Sequence, residues 1–372
     1  MAVESHPAPT RPRKGRRRAT EDGRRALTAG HALVIALLAL VVGCLLNAPG
    51  IHKSAFNQPD GWKRDVALAV TGPLADVSHA LLLDLPRKLL QRALGRGDED
   101  KIDTTISFTP TTETQTTPTS SAGPPTTPPP TRAHAPKTRR EAFSPKHKLR
   151  IWIAGDSLVI TPGWAIIRAA GKARAILPVG DGPDGRIATG LERPDVFNWF
   201  THITEQVRKL RPNAIVLEFG GNDDHGYMTG LPKGASIGDF GTASWSAEYR
   251  RRVAGVLDAV NRAGAFVVWI GLPITRDPAQ TRRFDTINGI IQSEARKRKG
   301  RVAFIDTYAT FASDSGGFAQ YLTDASGKKL LVRAPDGVHF ERAGGDMIAR
   351  SVLHALNQRF DLTSWRRQKR SS

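Results

Sequence analysis

The chain has 372 residues, 40% of them hydrophobic, and a formal net charge of +19. That length buries a full core and leaves material outside it. A single cysteine, Cys44, excludes an intramolecular disulfide framework and a cysteine zinc cluster. The positive charge comes with no nucleic-acid-binding motif and no Lys/Arg interleaved with aromatics on one face, so no nucleic-acid partner is expected. The basic runs instead flank an apolar segment and end the chain, where anionic lipid or an anionic envelope polymer is the simpler partner.

Residues 1–25 are rich in Arg and Pro with little to bury, which reads as a basic disordered arm. Residues 26–51 carry no Asp, Glu, Lys or Arg, and about 20 helical residues span the ~30 Å hydrocarbon core. This segment is expected to be a transmembrane anchor, with the Arg-rich side cytoplasmic and everything after Ile51 outside. Two other readings fit the same stretch. A cleaved signal peptide has a shorter apolar region and a small-x-small exit, whereas this run continues past the plausible cut sites. Val41-Val42-Gly43-Cys44 also resembles a lipobox that would acylate Cys44, but Leu45 and Leu46 keep the segment apolar beyond it.

Residues 52–96 form a membrane-proximal segment in which Val66, Val70, Leu74, Val77, Leu81, Leu85 and Leu89 recur at roughly helical spacing. Gly72-Pro73 and Leu85-Pro86 are expected to cut it into two or three short amphipathic helices, packed on the membrane, on a partner or on the main domain. Residues 97–147 turn to Thr, Ser and Pro around Pro124–Pro130; such a linker favours extended polyproline-like conformers and buries no core. Residues 362–372 read as a basic tail.

Over 148–361 apolar strand runs alternate with helical patterns. The strands are Leu149–Ala154, Ala173–Val179, Ala214–Phe219, Phe266–Gly271 and Arg301–Ile305; the helices are Trp164–Ala170, Val196–Leu210, Trp245–Ala263, Thr281–Lys299 and Arg342–Phe360. Continuous apolar strands between helices predict a parallel sheet covered on both faces. In such a sheet function gathers outside the carboxyl ends of the strands. Gly155-Asp156-Ser157-Leu158 follows the first strand, Gly220-Gly221-Asn222-Asp223 the third, and Asp336-Gly337-Val338-His339 precedes the last helix.

In these three blocks, in this order, the domain resembles the SGNH (GDSL) hydrolase superfamily, closest to a little-characterised, membrane-anchored, extracytoplasmic branch that shares the Gly-Leu-x-Arg-Pro-Asp segment at Gly190–Asp195. The resemblance implies a three-layer α/β/α fold on a flavodoxin-like, five-stranded parallel sheet, preceded here by one transmembrane helix and a Thr/Pro-rich linker. It implies Ser157 as nucleophile, His339 as base and Asp336 as the group that orients the imidazole. The oxyanion donors it implies are the Ser157 backbone N–H, a glycine N–H and the Asn222 amide. No Asn-x-Gly marks the glycine block; Gly190 is chosen because the branch pattern follows it, and Gly185 is the alternative. No cofactor and no metal are implied. The chemistry matches the residue types, since a serine hydroxyl needs a base to attack a carbonyl and the resulting oxyanion needs preorganised donors.

Asp156 is read as a brace for its turn, Asp223 and Asp224 as structural, and His225 and Arg276 as solvated loop residues. The function expected is an extracytoplasmic serine esterase acting on short acyl esters of an envelope carbohydrate. An O-acyltransferase using the same residues and a non-catalytic envelope protein on a retained hydrolase fold are the alternatives. Acyl chain, acceptor and oligomeric state are not readable.

Overall fold

The computed structural model describes residues 28–58, 62–93, 97, 100–106, 140–232 and 235–368. The basic arm 1–25 and the proline-rich centre of the linker lie outside the described residues. Four helices come first: α1 (Ala29–Leu46), α2 (Ala48–Phe56), α3 (Trp62–Ala80) and α4 (Leu85–Ala93). None of the 18 residues of α1 is buried, and at ~1.5 Å per residue it is ~27 Å long, enough to cross a hydrocarbon core. The helix ends at Leu46, short of the expected Ile51, because Asn47 interrupts the apolar run and Pro49 opens α2.

The expected break at Gly72-Pro73 does not occur. Pro73 sits inside α3, and the helix continues to Ala80. Leu85-Pro86 instead starts α4, with the proline in the first turn, where a missing N–H costs nothing. The segment also reaches the main domain. Arg193 Nη2 donates to the Asn57 carbonyl at 2.9 Å, and Asn198 Nδ2 donates to the carbonyls of Asp103 and Thr105 at 3.1 and 2.8 Å, so the N-terminal part and the start of the linker touch the main domain.

The main domain runs β1 (Leu149–Gly155), α5 (Ile160–Ala173), β2 (Ile176–Pro178), β3 (Asp184–Gly185), α6 (Trp199–Leu210), β4 (Ala214–Glu218), α7 (Ala243–Arg262), β5 (Phe266–Ile270), α8 (Pro278–Lys297), β6 (Val302–Ile305), α9 (Thr307–Phe311), β7 (Tyr321–Thr323), β8 (Lys329–Leu331), α10 (Arg342–Arg359) and α11 (Ser364–Gln368). The sheet is parallel with order β2-β1-β4-β5-β6, the expected flavodoxin-like arrangement. Short β3 pairs with β1 beyond β2 on the same side, so that edge strand is broken in two. β7 and β8 form a small antiparallel hairpin not foreseen in the sequence.

Side chains alternate across the sheet, as a period of two requires. Leu149, Ile151 and Ile153 of β1 face α5 and α10, with Ala214, Val216, Val268 and Ile348. Trp152 and Ala154 face the other way, with Leu217, Trp269, Trp199, Val253 and Ile287 of the α6–α8 layer. Phe143, upstream of the expected start at 148, is buried in the first of these layers, and Ala142 bridges to Asp361. Capping sets the helix starts. Asn198 accepts from the N–H groups of Phe200 and Thr201, which moves the start of α6 from the expected Val196 to Trp199, while Asp277 caps α8 ahead of Pro278. The chain passes from β2 across to β4 on the far side of β1, which makes the gap between β1 and β4 the topological switch point.

Candidate active site

β1 ends at Gly155, and Asp156 then caps a single 3-10 turn, Ser157–Val159, its Oδ1 accepting from Leu158 N at 2.9 Å. The other oxygen, Oδ2, accepts from Gly221 N at 2.8 Å. One carboxylate thus ties the turn after β1 to the turn after β4, which brings Ser157 and Asn222 to adjacent strand ends. The third block arrives from the loop before α10. His339 Nε2 lies 2.9 Å from Ser157 Oγ, and His339 Nδ1 lies 2.7 Å from Asp336 Oδ2. Asp336 Oδ1 accepts from the N–H groups of Val338 and His339 at 2.8 and 3.0 Å. Burial alone would push Asp336 up, but these donors and the imidazole outweigh it and hold its carboxyl below the ordinary range. Gly337, at φ +78°, makes the turn that lets Asp336 reach back to the ring.

The donors are placed less simply. Asn222 Nδ2 donates to the Thr189 carbonyl at 2.9 Å and keeps a second amide hydrogen. Because a trans peptide points its N–H opposite to its C=O, the Gly190 N–H faces away from that amide. Among the described residues neither the Ser157 nor the Gly190 N–H has a hydrogen-bond partner. Gly190 has a packing reason to be glycine: a Cβ there would lie 2.0 Å from Asp223 Oδ1. Gly185 sits in β3, paired in register with Gly155. A groove of about 880 Å³ lined by Phe304, Asp306, Arg350 and His354 lies along β6 against α10 and includes none of Ser157, Asn222 and His339. The Ser157–His339–Asp336 contacts lie at the strand ends, apart from that groove.

A family model described as a protein of unknown function, DUF459, matches residues 150–355, more than half of the chain and all three blocks. The chain belongs to the DUF459 family. No curated protein matches it. Among solved structures the DUF459 chain is similar to a GDSL-like lipase from Bacteroides thetaiotaomicron, at 17% identity over 57% of this chain and 90% of that one, with a TM-score of 0.39. A putative acylhydrolase from Bacteroides fragilis is 18% identical over 58% and 90% of the two chains, with a TM-score of 0.39. An acetylxylan esterase from Geobacillus stearothermophilus is 14% identical over 57% and 95%, with a TM-score of 0.38.

Around the crevice the DUF459 domain buries more carboxyl groups than its three blocks announce. Asp223 accepts from Leu191 N and from the Tyr249 hydroxyl through Oδ2, both at 2.9 Å, and from Glu192 N through Oδ1 at 2.8 Å, which fixes the Gly190 loop. Burial pushes Asp223 up. It pushes Asp156 to about 7, with the Asp223 charge adding to the rise against the Leu158 and Gly221 N–H groups. Burial also takes Glu192 to about 7, opposed first by its hydrogen bond to His225. Glu218, at the end of β4, is fully buried, and among the described residues neither carboxyl oxygen has a hydrogen-bond partner; burial and then the Asp156 charge drive it well above its ordinary value.

The residues that sequence reasoning missed hold the histidine loop. Arg333 is fully buried; its guanidinium donates to the carbonyls of Ile274 and Val338 at 2.6 Å and of Gly337 and His339 at 3.3 Å. Phe311, Phe318 and Phe340 surround it at 5.0–5.9 Å. Burial lowers Arg333 to about 10, which leaves it charged at neutral pH. Arg276, expected in a solvated loop, donates to the Pro335 carbonyl at 2.6 Å. His225 is exposed, with Nδ1 3.1 Å from the Asn222 carbonyl and 3.3 Å from Glu192 Oε2. Asp224 pairs with Arg283 at 2.6 Å.

Proposed function

We propose that this DUF459 protein is a membrane-tethered serine esterase that cleaves short acyl esters, with an envelope carbohydrate outside the cytoplasm as its acceptor class. The observation that carries the reading is the chain of contacts Ser157 Oγ to His339 Nε2 at 2.9 Å and His339 Nδ1 to Asp336 Oδ2 at 2.7 Å. In the first step His339 takes the Ser157 proton as Oγ bonds to the ester carbonyl carbon, and Asp336 stabilises the imidazolium. The tetrahedral oxyanion accepts from the Ser157 N–H and the free hydrogen of the Asn222 amide. A contribution from Gly190 requires its peptide to rotate off Asn222. Collapse breaks the ester C–O bond, His339 returns the proton to the departing alcohol, and water repeats the sequence on the acyl-serine.

The location in this reading is supported by α1, which is apolar, has no buried residue and is preceded by an Arg-rich stretch. Ser157→Ala tests the chemistry. The full-length variant should lose labelling by a fluorophosphonate and at least ~10³-fold of ester hydrolysis across a panel of rising acyl length. Equal labelling of variant and parent would sink the reading. Adding an acceptor glycan and following the acyl group separates transfer from hydrolysis.

A further inference from the structure

α4 is inverted for a helix in water. Leu85, Leu89 and Leu90 face outward at 42, 61 and 61% exposure. The polar side chains turn toward the protein: Gln91 is buried, Arg87 pairs with Asp100, and Lys88 pairs with buried Asp84. Arg92 is the charged side chain left on the exposed side. The end of α3 and the turn after it continue the surface, with Val77, Leu81 and Leu82 at 49, 63 and 59% exposure. Water-facing helices hide their apolar stripe, and a contiguous exposed apolar patch marks a surface that something covers.

The position of the corner indicates what covers it. Arg64 Nε donates to the Phe56 carbonyl at 3.0 Å, His52 Nδ1 meets Thr71 Oγ1 at 3.1 Å, and Ser78 Oγ donates to the Leu45 carbonyl at 2.6 Å. These contacts step back along α2 as they step forward along α3, so α3 returns along α2 and reaches the outer end of α1 at Ser78. Leu81 and Leu82 lie one turn farther on. There the chain bends by 85° into α4, which leaves that level sideways. An amphipathic helix lying across the end of a span, apolar side out and a basic residue at its margin, has the form of an interfacial helix.

We propose that the α3–α4 corner is a second membrane contact beside the anchor: Leu81, Leu82, Leu85, Leu89 and Leu90 enter the interfacial layer of the outer leaflet, with Arg92 at headgroup depth. The proposal rests on reading α1 as a membrane span. Through the Asn57–Arg193 and Thr105–Asn198 hydrogen bonds, a corner held at one depth also sets the height of the catalytic crevice above the lipid.

The test uses the full chain in phosphatidylethanolamine–phosphatidylglycerol vesicles, with Cys44→Ser to leave one thiol for a polarity-sensitive dye. Labels are placed at Leu82→Cys, Leu89→Cys, Trp62→Cys and Leu38→Cys, each variant keeping the circular dichroism of its parent. The dyes at 82 and 89 should be quenched by shallow lipid nitroxides and several-fold less by aqueous iodide than the dye at 62, at the far end of α3. The dye at 38 should respond to deep nitroxides. Iodide quenching at 89 equal to that at 62, with 38 still in lipid, overturns the corner alone; so does protection of 89 from both quenchers, which would mean a protein cover such as a second copy. A dye at 38 in water overturns the anchor and the corner together.

Discussion

The two sides of the candidate triad lean on different proportions of charged groups, mostly carboxyl groups by the serine and mostly arginines by the histidine. The division is partial: Arg252 also donates to the Leu191 and Glu192 carbonyls, and Asp336 accepts from Val338 N and His339 N. On the serine side, carboxylates collect backbone N–H groups: Asp156 takes those of Leu158 and Gly221, and Asp223 takes those of Leu191 and Glu192. On the histidine side, arginines collect carbonyls: Arg333 takes Ile274, Val338 and, at longer range, two neighbours, and Arg276 takes Pro335. Asp156, Asp223 and Arg333 satisfy loop backbone that would otherwise be buried without partners, whereas the Arg276 bond to Pro335 is exposed. The two kinds of group differ in how they answer to pH. Burial lowers Arg333 only to about 10, whereas it raises Asp156 to about 7.

Four changes would break or sharpen that contrast. The largest effect is expected at Asn222, the serine-side side chain proposed to donate to the oxyanion. Asn222→Ala should cost ~10²- to 10³-fold in kcat on the best ester with KM little moved, and an unchanged kcat removes Asn222 from the oxyanion site. Next comes the histidine-side frame. Arg333→Met strands several carbonyls and should lower kcat ~10- to 100-fold through misplacement of His339, with partial rescue by Arg333→Lys. The matching stability loss, read by denaturant unfolding, is about 2 kcal/mol. A kcat like that of the parent would mean that the three phenyl rings alone hold the loop.

Asp223→Asn sets the serine-side frame against it. The amide offers one acceptor oxygen where the carboxylate offers two, so the Gly190 loop should loosen by roughly 1–2 kcal/mol, with a smaller loss of kcat than Arg333→Met. An equal or greater loss would place the more critical frame on the serine side. The smallest effect is on pH dependence. Asp156 and Glu192 are each pushed up to about 7, so between their ordinary range near 4 and that value the folded chain holds protons that the unfolded chain has released. Stability should therefore fall as pH rises through this window, by up to about 1.4 kcal/mol per pH unit for each such proton. Glu218, held well above its ordinary value, should add to the fall, and Glu218→Gln should lessen it. Unfolding midpoints at pH 5 and pH 8 read both outcomes, and a midpoint that rises with pH would contradict the sign.

The sheet and the three blocks were legible because each is written locally. An apolar run such as Phe266–Ile270, or a Gly-Asp-Ser after a strand, announces itself within a few residues. Arg333, Arg276, Tyr249 and Glu192 were not legible, because each acts on backbone brought near only by the fold; Arg333 reaches Ile274 across 59 residues of chain. Pro73 misled for a related reason, since tertiary packing of α3 on α2 outweighs the local cost of a proline inside a helix. The hairpin of β7 and β8 was missed because three-residue strands with half-exposed side chains leave too little pattern to detect.

The broken edge strand bears on how neighbouring molecules meet. β2 covers β1 at Leu149–Ile151, β3 covers it again at Ala154–Gly155, and between them the chain leaves the sheet. Neither piece is long enough to template a strand from another molecule. Proteins tethered to one bilayer collide sideways, at local concentrations far above those of the same chains in free solution. For a chain anchored as proposed here, the interrupted edge offers a neighbour no long strand to pair with, and the opposite edge, β6, is four residues long.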